Sequence, residues 1–293
     1  MKEAIRQAIW SVAIAFILLA MLIIGSFKDL AIAEAICLPG NTFSVLIDSI
    51  AKVPAFLIMM AACGILLKCA YNKECNIVLK RLYIIAYFVL GIISATFAFI
   101  DLFQLIFDKR AYYVSVSAVC GVFVYLLFLN DLSKHRRQEY ERYKKWAITA
   151  CIIVGVVAGI SYGMKFLWKR ASYIDVVEQG ATFSPWYKIV NVEGGWAMPD
   201  NKTALAFTTW TLMTLTKIHP RLANKVGWMQ VAINFFVVLV IIGSLFSGKY
   251  FLSDVAIGGI IGYAVTKTAK VLAFGADGDR TDLSENNLLG RIL

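Results

Sequence analysis

Charge is what this chain has least of: 16% of its 293 residues are Asp, Glu, Lys or Arg, against 60% hydrophobic, and the mean hydropathy is +0.71. A soluble core cannot absorb that many apolar residues, so the balance excludes an ordinary pair of soluble domains and describes a polytopic membrane protein. Also missing is a basic stripe with interleaved aromatics. The net charge of +10 therefore does not signal nucleic acid, because its Lys and Arg sit between apolar runs where topology accounts for them. Histidine is scarcer still, with two in the chain, and His135 lies in a charge run away from every motif, so it receives no catalytic role. Six cysteines, Cys37, Cys63, Cys69, Cys75, Cys120 and Cys151, lie mostly in or beside apolar runs. They lack metal-ligand spacing, which reads as packing and implies neither a metal nor a cofactor.

What is present is a succession of apolar runs. Ile9–Phe27 follows a short basic start, Lys2 and Arg6. It lacks the shorter core and small-residue cleavage site of a signal peptide, and so reads as a first transmembrane helix. Lys28–Lys52 is expected to be a loop with a short amphipathic piece at the interface (Phe43, Leu46, Ile47, Ile50). Further runs at Val53–Ala70, Leu82–Phe107, Ala111–Leu129, Trp146–Met164, Ala204–Leu215, Gly227–Leu245 and Leu252–Phe274 bring the total to about eight spans. Asp101, near the end of its run, is expected at the headgroup level rather than in a polar cavity. The fold class is all-α: a polytopic transmembrane helical bundle. Residues 1–130 form the N-terminal transmembrane helices, 131–146 a basic cytoplasmic linker, 147–274 a second transmembrane core and 275–293 a polar cytoplasmic tail.

Orientation follows from the basic residues. With both termini in the cytoplasm, most of the 29 Lys and Arg face inward, as the positive-inside rule requires. The long loop Lys165–Lys202 and the turn Ser244–Asp254 then emerge together on the outer face. Within that loop, Gly194–Thr209 (GGWAMPDNKTALAFTT) is a polar turn opening straight into an apolar helix. Pro199 suits the helix's first turn and Asp200 or Asn201 its cap, while Lys202 adds a full charge to the positive end of the helix dipole. Anions bind at such a place.

Three polar turns therefore share one face: Lys165–Tyr173 (KFLWKRASY), Pro199–Lys202 (PDNK) and Ser244–Asp254 (SLFSGKYFLSD). Around them stand Trp168, the run Phe183–Tyr187 (FSPWY), the pair Gly194 and Gly195, and Ser253-Asp254-Val255 followed by Gly258 and Gly259. An earlier stretch runs from Pro39-Gly40-Asn41 to Lys52-Val53-Pro54. Together these resemble the type 2 phosphatidic acid phosphatase superfamily, which includes lipid phosphatases and undecaprenyl pyrophosphate phosphatases of bacterial membranes. The resemblance implies a six-helix-type phosphatase core with extra N-terminal helices, in a bacterial cytoplasmic membrane with its motif loops outside.

That family carries Lys, six residues, then Arg-Pro; next Pro-Ser-Gly-His; then Arg, five residues, His, three residues, Asp. Carried over, Lys165 and Asp254 survive, as does Pro199. Ser172 stands at the first phosphate-binding Arg, with Arg170 two residues earlier. Asp200-Asn201-Lys202 replaces Ser-Gly-His, Ser244 replaces the second Arg, and Tyr250 replaces the nucleophilic His. By family position, Tyr250, Asp254 and Lys202 are the catalytic set, and Lys165, Arg170, Ser172, Asp200, Asn201 and Ser244 the phosphate-binding set.

In the family the last His attacks phosphorus, the Asp orients it, the middle His protonates the leaving alkoxide, and Lys with two Arg holds the phosphoryl oxygens. A phenol with an ordinary pKa near 10 and an ammonium near 10.4 are poor substitutes for two imidazoles. Loss of acid catalysis alone costs about 10²–10⁴ in rate. The implied reading is a catalytically degenerate relative that binds a lipid phosphate headgroup, isoprenoid or glycerolipid, or a membrane partner or second copy of itself. The alternative is an active lipid phosphatase or phosphotransferase with a rebuilt centre, Tyr250 or Asp200 serving as nucleophile. Asp200 also has a plainer role as a helix cap. A transporter would want discontinuous helices and charges at mid-bilayer, and the sequence shows neither.

Overall fold

A computed structural model describes residues 2–72, 76–189 and 192–275, with side chains from residue 9 onward except those of 220 and 221. Cys75 and the polar tail from residue 276 lie outside the described residues. The chain is all-helical among the described residues, and seven of its helical stretches are long and apolar enough to cross a membrane. It is an integral membrane protein by that measure. The elements in order are α1 (Lys2–Ile36), α2 (Thr42–Ile50), α3 (Val53–Tyr71), α4 (Ile77–Gln104), α5 (Arg110–Ser133), α6 (Arg137–Arg142), α7 (Lys144–Trp168) and α8 (Tyr173–Glu178). Then follow α9 (Asn201–Thr208), a 3₁₀ segment (Thr209–Thr214), α10 (Leu215–Ile218), α11 (Pro220–Ala223), α12 (Val226–Phe246) and α13 (Leu252–Phe274).

Two expectations need correcting at the N-terminal end. The first helix does not stop at Phe27 but runs to Ile36, so the expected loop begins nine residues late. Leu18, Gly25, Asp29 and Ala33 are buried at spacings that share one helical face, and that face lies against α13. Asp29 interrupts the hydropathy without interrupting the helix, because its carboxylate finds buried donors. The amphipathic piece is a true helix, α2, capped by Asn41, whose side chain accepts from Phe43 N at 2.8 Å. Instead of lying apart at the interface, it buries Ser44, Ile47, Asp48 and Ser49 and packs on α12.

The expected eighth span, Ala204–Leu215, is present only in pieces. All eight residues of α9 are buried, and the helix passes through the 3₁₀ segment into α10. Thr208, Thr209, Thr211, Thr214 and Thr216 each donate their hydroxyl to the carbonyl three residues back. Such back-bonding competes with the α ladder. At about 1.5 Å per α residue and 2.0 Å per 3₁₀ residue, 201–218 reaches about 30 Å, the thickness of a hydrocarbon core. The discontinuous helix that the sequence did not show is therefore there, inside the bundle.

Around this broken crossing the two halves of the chain interpenetrate. α13 packs against α1, α7 and α9, and α3 against α4 and α7. One end is tied by Trp146 Nε1 donating to Thr211 O at 3.2 Å and Asn72 Nδ2 to Tyr140 Oη at 2.6 Å. The other end gathers the starts of α3, α9 and α13 with the ends of α4, α7 and α12. All three sequence motifs lie there.

Candidate functional site

Arg170 organises the motif end from inside. The chain leaves α7 through Lys169, and Arg170 turns inward until 1% of its side chain remains exposed. Its Nη1 donates to Asp254 Oδ1 at 2.6 Å and Ser253 Oγ at 2.8 Å, its Nη2 to Asp29 Oδ2 at 2.9 Å, and its Nε to Ser184 O at 2.8 Å. The guanidinium carbon lies 4.4 Å from the centroid of Phe251 and 5.5 Å from that of Phe183. Ser253 Oγ donates in turn to Asp29. Every arm of Arg170 is thus engaged by protein, and none is offered to a ligand.

The other motif residues divide into caps and a polar wall. Ser172 caps α8 in a reciprocal box with Asp175, accepting from Asp175 N at 3.2 Å while Asp175 accepts from Ser172 N at 2.8 Å. Asp200 caps α9, accepting from Lys202 N at 2.9 Å and Thr203 N at 3.3 Å. Pro199 consequently sits one residue before the cap, not in the helix's first turn. Ser244 is not in a turn either. It lies inside α12, buried, its hydroxyl without a hydrogen-bond partner among the described residues.

Tyr250 stands between two lysines. Lys165 Nζ is 4.9 Å and Lys202 Nζ 5.9 Å from its ring centroid. Lys165 donates to the carbonyls of Trp196 and Ala197. Among the described residues the Tyr250 hydroxyl reaches only Asn201 Oδ1, at 3.5 Å. Burial, followed by the charges of Asp200 and Asp48, pushes the phenol well above its ordinary value of 10, so it stays protonated. Asp254 is no base for it, being spent on Arg170 and on accepting from Phe251 N at 2.9 Å. The arrangement supplies no activated nucleophile at position 250.

In front of this layer is an open cleft of about 310 Å³ lined by Asp48, Lys52, Asp101, Lys202 and Lys249, with Val45, Ser49, Gln104 and Leu105. Of the catalytic and phosphate-binding sets expected from the resemblance, Lys202 lines it, whereas Lys165, Tyr250 and Asp254 do not. Asp48 Oδ2 lies 2.7 Å from Lys202 Nζ and 2.8 Å from Lys249 Nζ. Asp101, expected at the headgroup level, is part of this polar cleft and lies 2.7 Å from Lys52 Nζ. Asp48, Lys52 and Asp29 received no role from the sequence. For the two aspartates the one signal was a carboxylate inside or beside an apolar run, which is costly unless partnered; Lys52 gave none.

Among the described residues no three His, Cys, Asp or Glu side chains are grouped to hold a metal. Compared with protein-family models, curated proteins and solved structures, the chain matches none.

Proposed function

We propose that this protein binds a phosphate-bearing lipid headgroup at the outer membrane boundary without hydrolysing it, as a catalytically degenerate relative of the type 2 phosphatidic acid phosphatases. One observation carries the reading: Lys202 and Lys249 already grip an oxyanion, the Asp48 carboxylate, between them at the start of α9. A phosphate oxygen has the charge and size to take that place. Absence of turnover follows from the neutral phenol at Tyr250 and from an Asp254 committed to Arg170.

The test is mass spectrometry of lipids retained by the purified protein, run beside a phosphate-release assay on phosphatidic acid and an isoprenoid pyrophosphate. Retained phospholipid with no release is the expected result, and Tyr250→His is expected to gain no turnover because no base is free to serve it. Brisk phosphate release by the unaltered protein, abolished in Tyr250→Phe or Asp200→Asn, would instead establish a rebuilt phosphatase. A second reading, passage of the lipid across the bilayer, draws on the buried 3₁₀ break at Thr209–Thr214, because such breaks often mark hinges. Its readout is lipid scrambling in proteoliposomes.

A further inference from the structure

The charges at the motif end balance. Over the buried layer and the cleft together, Lys52, Lys165, Arg170, Lys202 and Lys249 equal in number Asp29, Asp48, Asp101, Asp200 and Asp254, while the cleft lining itself holds three lysines and two aspartates. A site made for a phosphomonoester dianion needs two positive charges in surplus, and the cleft lining has one to offer. Burying a dianion there would leave one of its charges uncompensated, whereas a ligand that is neutral overall but internally charged brings an ammonium for the carboxylates as well as a phosphate for the lysines.

The cleft also leaves both kinds of polar capacity unspent. An ammonium has three N–H donors, and Lys249, with 55% of its side chain exposed, directs one to Asp48. Asp48 holds both lysines through Oδ2, while its Oδ1 is buried with no hydrogen-bond partner among the described residues. An acceptor left in that state is costly and favours a ligand that brings a donor. Asp101 adds a second carboxylate, partly exposed beside Lys52. Val45 and Leu105 form an apolar rim through which acyl chains can leave for the bilayer, and the cleft volume suits a headgroup rather than a whole lipid.

We propose that the cleft takes a zwitterionic phosphodiester headgroup of the phosphoethanolamine kind, phosphate on Lys202 and Lys249, ammonium on Asp48 and Asp101, in preference to a dianionic phosphomonoester. This rests on the headgroup reading above and names its ligand class. As the ammonium arrives, Asp48 exchanges part of its hold on the lysines for the incoming donor, and the freed lysine N–H groups turn to the phosphate.

The experiment uses the full chain in detergent, stripped of lipid and titrated with short-chain phosphatidylethanolamine, phosphatidic acid or water-soluble glycerophosphoethanolamine, with occupancy read by native mass spectrometry. Phosphatidylethanolamine is expected to bind about tenfold more tightly than phosphatidic acid. Asp101→Asn and Asp48→Asn, each raising the positive surplus of the cleft lining from one charge to two and so matching a dianion, are expected to reverse that order. Should Asp48→Asn fail to fold, Asp101→Asn at the cleft edge carries the comparison, with Lys249→Gln expected to weaken both lipids. Binding of glycerophosphoethanolamine without the lipid supports the same chemistry from a soluble source. Phosphatidic acid binding as tightly as phosphatidylethanolamine to the unaltered protein overturns the zwitterion assignment while sparing the headgroup reading. No binding of any of the three overturns both.

Discussion

Arg170 and Asp254 meet at 2.6 Å with their side chains 1% and 0% exposed, 84 residues apart in sequence. The carboxylate that the family resemblance assigns to orienting residue 250 is thus turned away from Tyr250 and toward an arginine two positions before the expected one. Asp29 closes the pair from α1. The contact is a fastening that joins three distant segments of the bundle.

Removing one partner of a buried ion pair leaves the other charged and dry, which costs about 3–5 kcal/mol. Asp254→Asn and Asp29→Asn are each expected to lower unfolding stability in detergent by that order. Ser172→Ala, which touches only the cap of α8, is expected to cost about 1 kcal/mol. Equal, small losses for all three would show that Arg170 does not depend on its carboxylates.

Tyr250 gives a pH signature. Its folded pKa is raised, first by burial and then by Asp200 and Asp48, above an unfolded value of 10. Below pH 10 the phenol is protonated in both states and makes no pH-dependent contribution. Above it the unfolded chain releases a proton that the folded chain retains, so stability falls with a slope approaching about 1.4 kcal/mol per pH unit. The difference in stability between wild type and Tyr250→Phe should therefore be flat from pH 7 to 9 and shift in favour of Phe above 10. A difference independent of pH up to 11 would place a phenolate in the fold.

Close crossing of α9 on α13 depends on two small residues. A Cβ at Gly258 would strike the carbonyl oxygen of Asp200, and one at Gly262 that of Ala204, both backbone atoms with no rotamer to yield. Gly258→Ala and Gly262→Ala are each expected to cost about 1–3 kcal/mol, the range for overpacking. Gly155→Ala, whose Cβ meets nothing within 4 Å, serves as the helical control and should be neutral or better. Tolerance of Gly258→Ala at wild-type stability would separate α9 from α13.

Much of the bundle was legible because an uninterrupted apolar run bounded by turn residues says where a helix lies. Leu252–Phe274 was marked by its hydropathy and is α13 to the residue, and Gly227–Leu245 differs from α12 by one residue at each end. What hydropathy hid was polar detail inside such runs. Asp29 looks like the end of a span until Arg170, 141 residues away, accounts for it. The threonines of 208–216 pass as members of an apolar run, yet their hydroxyls attend a 3₁₀ break. At the site, the motif frames pointed to one end of the bundle, and Lys165, Lys202, Tyr250 and Asp254 all lie there. They did not reveal Asp48, because its two lysine partners sit 154 and 201 residues downstream.

Orientation in the bilayer provides the last prediction. The end opposite the cleft carries Lys80, Arg81, Lys134, Arg136, Arg137, Arg142, Lys144, Lys145, Lys217 and Lys225, and the positive-inside rule puts that end in the cytoplasm. Tyr187, 63% exposed in the strap between α8 and α9, is then outside. With the native cysteines replaced, a membrane-impermeant maleimide is expected to label Tyr187→Cys in intact cells, and Arg136→Cys only after the membrane is opened. The reverse pattern would put the cleft in the cytoplasm, and any headgroup it binds would then come from the inner leaflet. Labelling of both positions from one side would require an odd number of crossings between residues 136 and 187 to be wrong, and α7, which runs 25 residues between them, would not span the bilayer.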